Sequence, residues 1–319
     1  MNLHLQHRTL AAMTVLAASV GLASGAAADY PDEPVRIVVP YSPGGSTDAV
    51  FRIVAEALER ELGQSIVIVN VQGAGGGIGM LEAVQAEPDG YTLGVYNTNS
   101  EILQAVGSAE FTTEQMQPVA LLGDTILAVT VRGDSPYETI DDFREAANAN
   151  PGDLSVAMGH GNLAHFVSVL FAEGLEADVQ LVNVGSGAEK KAAVLGGHLT
   201  SMIEPTTSVI GEHREGELRI LAVFHDERLE SLSDVPTARE FGIDVTLPQT
   251  LGVFVPQGTP EDRVQILTDA IARIADDAEA MERLERLDLV WDYMSPEEFK
   301  AYRQEIRDSV FSVKEKAGF

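Results

Sequence analysis

V-R-I-V-V-P-Y-S-P-G-G-S-T-D-A-V-F-R-I-V-A-E-A-L, running from Val35 to Leu58, is the stretch whose reading decides the fold. Four of its first five residues are apolar and β-branched, Arg36 being the exception, and the run stops at Pro40, which reads as a buried strand. Val50, Ile53, Val54, Ala57 and Leu58 then recur at helical spacing, so a helix follows from about Asp48 to Leu62. Between them lies Ser42-Pro43-Gly44-Gly45-Ser46-Thr47. Glycines there let a ligand approach the backbone, and the first turn of the helix offers unpaired N–H groups and a partial positive charge. Such a turn can hold an anion without a basic side chain. The same residues also suit a plain strand-to-helix turn with Ser46, Thr47 or Asp48 as cap.

The pattern repeats along the chain. Apolar runs bounded by Gly or Pro read as strands at Ser65–Val69, Tyr91–Tyr96, Ile126–Val131, Leu154–Ala157, Val179–Val182, Ile220–Val223 and Gly252–Val255. Helical periodicity falls at Leu163–Ala172 and Glu189–Leu195, and three successive helices read from Pro260, Ala280 and Pro296, with both prolines in first turns. Alternating strands and helices predict an α/β fold of two domains, each a mainly parallel sheet flanked by helices, with a helical C-terminal region. No low-complexity linker is present, so strands crossing near 124–132 and 245–252 join the domains. That makes 29–126 with 250–319 one discontinuous domain and 127–249 the other.

Residues 1–28 hold Arg8 as their only formal charge, an apolar run from Leu10 to about Leu22, and Ala26-Ala27-Ala28 before Asp29. This reads as a secretory leader cleaved after Ala28, too short in its apolar part for a membrane span. The chain has no cysteine, which excludes lipidation on cysteine, disulfides and a cysteine nucleophile. Its formal net charge is −28, and removing the leader makes it one more negative. Such a field repels nucleic acid and anionic membranes, so an anion site must rely on local donors.

Catalytic signatures are missing. There is no G-x-S-x-G, H-E-x-x-H or G-x-x-x-x-G-K-[ST], and no acid–base or nucleophile pair stands out. Gly73-Ala74-Gly75-Gly76-Gly77-Ile78-Gly79 fails G-x-G-x-x-G from every start, so it reads as a glycine-rich lip beside a ligand, or as a purely conformational stretch, and not as a nucleotide site. His160 and His165 are five apart, which does not stack them for a metal. No cofactor or metal is expected. In the second domain Gly159-His160-Gly161-Asn162 and Gly185-Ser186-Gly187 again follow strands. In open sheets ligands sit beyond the carboxyl ends of parallel strands, so glycine loops of two domains facing one cleft predict a clamp on a small polar solute.

The chain resembles receptors of the tripartite tricarboxylate transporter family, also called Bug-type binding proteins. The resemblance rests on Y-P-D-E-P-V-R-I-V-V-P-Y-S-P-G-G-S-T-D at 30–48, G-A-G-G-G-I-G at 73–79, P-D-G-Y-T-L at 88–93, V-L-G-G-H-L at 194–199, G-E-L-R-I-L-A-V at 216–223 and D-V-P-T-A-R-E-F-G at 234–242. It implies a periplasmic type II binding-protein fold and a non-catalytic monomer. A small carboxylate-type solute would be held between the domains and delivered to one large and one small membrane subunit. The implied contacts are Ser42, Gly44, Gly45, Ser46, Thr47 and Asp48, then Gly73, Ala74 and Gly75, with Gly159, His160, Gly161, Asn162, His165, Gly185, Ser186 and Gly187 opposite. Asn97 and Thr98 after Tyr91–Tyr96, and Glu204 after Leu199–Ile203, are expected to tune the solute. The plainer readings come first for two of these: Glu204 as a solvated strand end, and His165 as a structural hydrogen-bonding residue. A ligand-presenting sensor for a membrane signalling protein shares all of these features, whereas an exported enzyme would need reactive groups that the sequence does not show.

Overall fold

The structure, a computed structural model, describes residues 30–245 and 247–319; the expected leader at 1–28 lies outside them. The strands are β1 (Val35–Val39), β2 (Ile66–Asn70), β3 (Thr92–Asn97), β4 (Met116–Thr125), β5 (Leu127–Arg132), β6 (Ser155–Met158), β7 (Gln180–Asn183), β8 (Ser201–Pro205), β9 (Leu218–Val223), β10 (Gln249–Pro256) and β11 (Leu289–Met294). The helices are α1 (Ser46–Leu62), α2 (Gly77–Val84), α3 (Asn99–Ala105), α4 (Ile140–Ala149), α5 (Leu163–Leu175), α6 (Gly187–Leu195), α7 (Ile210–Glu215), α8 (Glu261–Ala272), α9 (Ala278–Glu285) and α10 (Pro296–Val313). Pro296 opens α10 in its first turn, whereas Pro260 sits one position earlier, at the N-cap of α8.

Two sheets result, in the orders β11-β4-β10-β3-β1-β2 and β7-β6-β8-β5-β9. The parallel expectation holds for β2-β1-β3 and for β7-β6-β8, where a helix returns the chain between strands. The connecting strands run against them. β10 is antiparallel to β3 and β4, and β5 is antiparallel to β8 and β9, so each sheet is mixed. Residue 126 alone separates β4 from β5, so the passage between sheets is taut.

Both faces of each sheet are covered. Val50, Val54, Ala57 and Leu58 of α1 pack with β1, β3, β10 and the helices α8 and α9 on one face of the first sheet. Met80, Tyr96, Phe254 and Phe299 fill the other face. In the second sheet Val129, Val156 and Ile203 meet Phe143, Phe166 and Phe171. α10 joins the two bodies: Phe299 lies in a first-sheet cluster, while Ile306, Val310 and Val313 lie among the second-sheet residues. Among the described residues no helix is long and apolar enough to cross a membrane.

Candidate ligand-binding site

The loop after β1 is held by Asp48, which is 1% exposed. One carboxylate oxygen accepts from the Gly44 N–H and from Arg52 Nε, both at 2.8 Å, and the other accepts from Asn70 Nδ2 at 2.8 Å. Burial alone would raise its pKa. The hydrogen bonds from Arg52, Gly44 and Asn70 outweigh burial and hold it below the ordinary 3.8. Asp48 is therefore fully engaged in shaping the loop. Gly44 has φ +78°, a conformation that glycine adopts without strain. Asn70 also donates to the Tyr41 carbonyl at 3.1 Å, and the Ser42 hydroxyl donates to Gln72. Gly45 caps α1 without a side chain, and among the described residues no side chain accepts from the first-turn amides of Ser46, Thr47 and Asp48. The Thr47 hydroxyl is 3.5 Å from Gln249 Nε2 at the start of β10.

The loops after β2 and β3 close on this one. Gly79, in the first turn of α2, stands where a Cβ would come within 2.5 Å of the Val71 carbonyl and 2.8 Å of the Pro40 Cα. Glycine at that position lets α2 press against the end of β1. Gly73, Ala74 and Gly75 form the lip before it, Ala74 and Gly75 exposed and Gly73 half-buried with Ile78 lying over it. After β3, Asn97 and Thr98 are buried. Thr98 donates to the Pro248 carbonyl at 2.6 Å and accepts from the Thr250 N–H at 3.1 Å, which pins this loop to the crossing strand β10. Asn97 and Asn99 both donate to the Tyr41 hydroxyl, and Asn99 Oδ1 accepts from the Leu163 N–H of α5 at 2.9 Å. That last bond crosses from the first sheet's loops to the second's.

On the second side the helix starts are already capped. Asn162 caps α5, accepting from the His165 N–H at 3.2 Å, and the His160 N–H donates to Asn183 Oδ1 at 3.0 Å. His165 is buried, and its Nδ1 accepts from the Gly161 N–H at 3.3 Å. Burial, then the nearby His160, lowers its pKa, so the ring is neutral near pH 7. It packs against Phe319 at 5.7 Å between ring centroids, and His160 does so at 5.1 Å. Ser186 caps α6 in a reciprocal box, its N–H and hydroxyl both bonded to Glu189 Oε2 at 2.6 and 3.0 Å. Of the donors expected at 185–187, both of those on Ser186 are thus engaged by the chain's own carboxylate. Glu204 is not a solvated strand end. It is 8% exposed and pairs with the buried Lys190 of α6. Gly187 lies flush against it, for a Cβ there would meet Glu204 Oε2 at 2.7 Å.

The expected residues therefore fall into two groups. Ser42, Gly44, Gly45, Ser46, Thr47, Asp48, Gly73, Ala74, Gly75, Asn97 and Thr98 form connected loops of the first sheet. Gly159, His160, Gly161, Asn162 and His165 lie beside Gly185, Ser186, Gly187 and Glu204 at the strand ends of the second, and the Asn99–Leu163 bond links the groups. Tyr41, Asn70, Gln72, Lys190 and Gln249 were not anticipated. Lys190 was readable: it sits four residues before Val194, whose side chain is core, so both point inward from α6.

Beneath the β3 loop, Glu101 is wholly buried, with Arg307 Nη1 at 3.5 Å and the Thr113 hydroxyl at 3.4 Å. Burial raises its pKa from 4.5 to about 6, against the pull of Arg303 and Arg307. A carboxyl that binds its proton more tightly when folded adds stability below pH 4.5, and this is lost as pH rises through about 6. Glu101→Gln is therefore expected to be more stable than the parent at pH 8 by about 2 kcal/mol and to match it near pH 4. Urea unfolding at both pH values measures this, and equal differences at both would contradict it.

Two bodies joined by crossing strands, with glycine loops at their parallel strand ends, define a two-lobed solute-binding protein. The family model for the tripartite tricarboxylate transporter family receptor matches residues 50–316, and the chain belongs to that family. Protein BugT of Bordetella pertussis is 30% identical over 267 residues, 82% of each chain. Among solved structures, a TctC solute-binding protein from Polaromonas without ligand is 29% identical, covers 90% of this chain and 99% of its own, and has a TM-score of 0.73. MatC from Rhodopseudomonas palustris, solved with bound malate, is 27% identical, with 89% and 100% covered and a TM-score of 0.78.

Proposed function

We propose that the chain is an exported receptor that captures a small carboxylate-type solute between its lobes and passes it to the large and small membrane subunits of a cognate transporter. The lobes are 29–126 with 250–319 and 127–249, and the receptor acts as a non-catalytic monomer. The observation that carries the reading is an asymmetry of helix starts. α5 and α6 are capped by Asn162 and by Ser186 with Glu189, whereas the first-turn amides of α1 have no side-chain acceptor. α1 is 17 residues long and its N-terminal partial charge favours an anion, so the solute's carboxylate belongs there, with the Ser46 hydroxyl and the amides of Ser46, Thr47 and Asp48 as donors. The second lobe, with the donors of His160, Gly161 and Ser186 occupied and Glu204 paired with Lys190, selects on the remainder of the solute. The relative solved with malate supports a carboxylate ligand.

Thermal melting with a panel of mono-, di- and tricarboxylates tests the reading. A solute at a hundred times its dissociation constant adds about 2.7 kcal/mol, a shift of several degrees. If no carboxylate in the panel moves the melting temperature, the reading is lost.

A further inference from the structure

The hydrogen bonds around Tyr41 leave its hydroxyl only one role. Asn97 Oδ1 accepts from the Asn99 N–H at 3.0 Å, and Asn99 Oδ1 accepts from the Leu163 N–H at 2.9 Å. Each amide oxygen thus faces a backbone donor, and turning either amide over would set an NH2 group against an N–H. The orientations are fixed. Both Nδ2 groups therefore face the Tyr41 oxygen, at 2.6 and 3.1 Å, and donate to it. A phenol oxygen accepts two hydrogen bonds and donates one. With both acceptor sites filled, the Tyr41 proton must be given away, and among the described residues nothing receives it. The residue is half-buried with its hydroxyl at the buried end, where burial raises its pKa, so an acceptor for the proton has to enter between the loops.

Its position gives the direction. Tyr41 opens the β1–α1 loop. Gly76 of the second glycine loop lies so close that a Cβ there would stand 3.1 Å from the hydroxyl. Asn97 ends β3 and Asn99 opens α3, and Leu163 begins α5 of the other lobe. The hydroxyl therefore lies where the strand-end loops meet.

We infer that Tyr41 is a ligand-binding and specificity-determining residue, an obligate hydrogen-bond donor to an acceptor oxygen of the bound solute. The inference rests on the carboxylate reading and adds to it a selection rule. A solute that places a carboxylate, carbonyl or ether oxygen at Tyr41 is accepted, and one that places an ammonium or amide N–H there is rejected, because that donor would face another donor.

The test uses malate, glutarate and benzoate with the wild-type protein and Tyr41→Phe, titrated by calorimetry. Each probe that binds the wild type is expected to bind the variant roughly ten- to a hundredfold more weakly, the loss of one hydrogen bond to a charged acceptor. Tyr41→Phe also removes the acceptor of both asparagines, so its ligand-free melting temperature falls either way, and affinity is the quantity that decides. An unchanged affinity overturns the inference while leaving the carboxylate reading in place. Binding of none of the probes to the wild type overturns the carboxylate reading and this inference with it. A crystal structure of the wild type with a bound probe decides even where the variant does not fold. The Tyr41 oxygen is expected about 2.7 Å from a ligand oxygen, and a hydroxyl facing only water or protein would refute its role.

Discussion

Asp48→Ala is expected to lower carboxylate affinity by more than about a hundredfold and stability by about 3 kcal/mol. The carboxylate touches three donors from three places: Gly44 in the loop, Arg52 one turn along α1 and Asn70 at the end of β2. Removing it frees Gly44, whose left-handed conformation is otherwise fixed, and the amides at the start of α1 lose their common aim. Pre-organised donors bind an anion without ordering themselves first, and their loosening is felt mainly in affinity. Arg52→Ala separates this from simple loss of an ion pair. Arg52 is half exposed and is expected to change stability by less than about 1 kcal/mol, with affinity nearly kept. Calorimetric titration and chemical unfolding of the two variants check both statements, and equal losses in both would refute the positioning role. The low pKa of Asp48 adds a pH signature. Its stabilising contribution is complete above 3.8 and fades as pH falls through its lower folded value.

The second large effect is expected at Lys190. The Lys190–Glu204 pair has side-chain exposures of 4% and 11%. Lys190→Met leaves a buried carboxylate without its counter-charge, which costs about 3–5 kcal/mol. Changing both residues to methionine removes two desolvation penalties along with the attraction, and such replacements are often neutral or stabilising. The double variant is therefore expected to recover most of the stability lost by the single one. Unfolding midpoints at neutral pH measure the difference, and a double variant less stable than Lys190→Met would show that the pair contributes more than its own neutrality.

These outcomes bear on what can be read before folding is known. β1, its loop and α1 were legible because three signals agree there: a β-branched run, a Pro/Gly break and a helical apolar stripe. β4 was not. M-Q-P-V-A-L-L-G-D-T carries Pro118 and Gly123 where a regular strand tolerates neither well. Both are accommodated by an irregular register with β10 and β11, and a Cβ on Gly123 would stand 2.0 Å from the Val290 carbonyl. β11 was hidden between two helices. At the site, the donor-rich loops were legible, but which donors stay free was not, since that depends on side-chain directions. The exception is S-G-A-E at 186–189, a capping pattern visible in the letters alone that marks its own donors as taken. Tyr41 could not have been singled out, because its role follows from two asparagines more than fifty residues away.

α10 brings a mechanical consequence. Its Phe299 end is seated in one lobe and its Ile306–Val313 stretch in the other, on a rod of roughly 20 Å. A rod clamped at both ends resists being pulled apart but yields to torsion. The expected opening between the lobes is therefore a twist about this shaft and the taut strand passage at residue 126, in place of a wide jaw-like swing. Spectroscopic rulers placed on the two outer rims would register a change of angle larger than any change of gap.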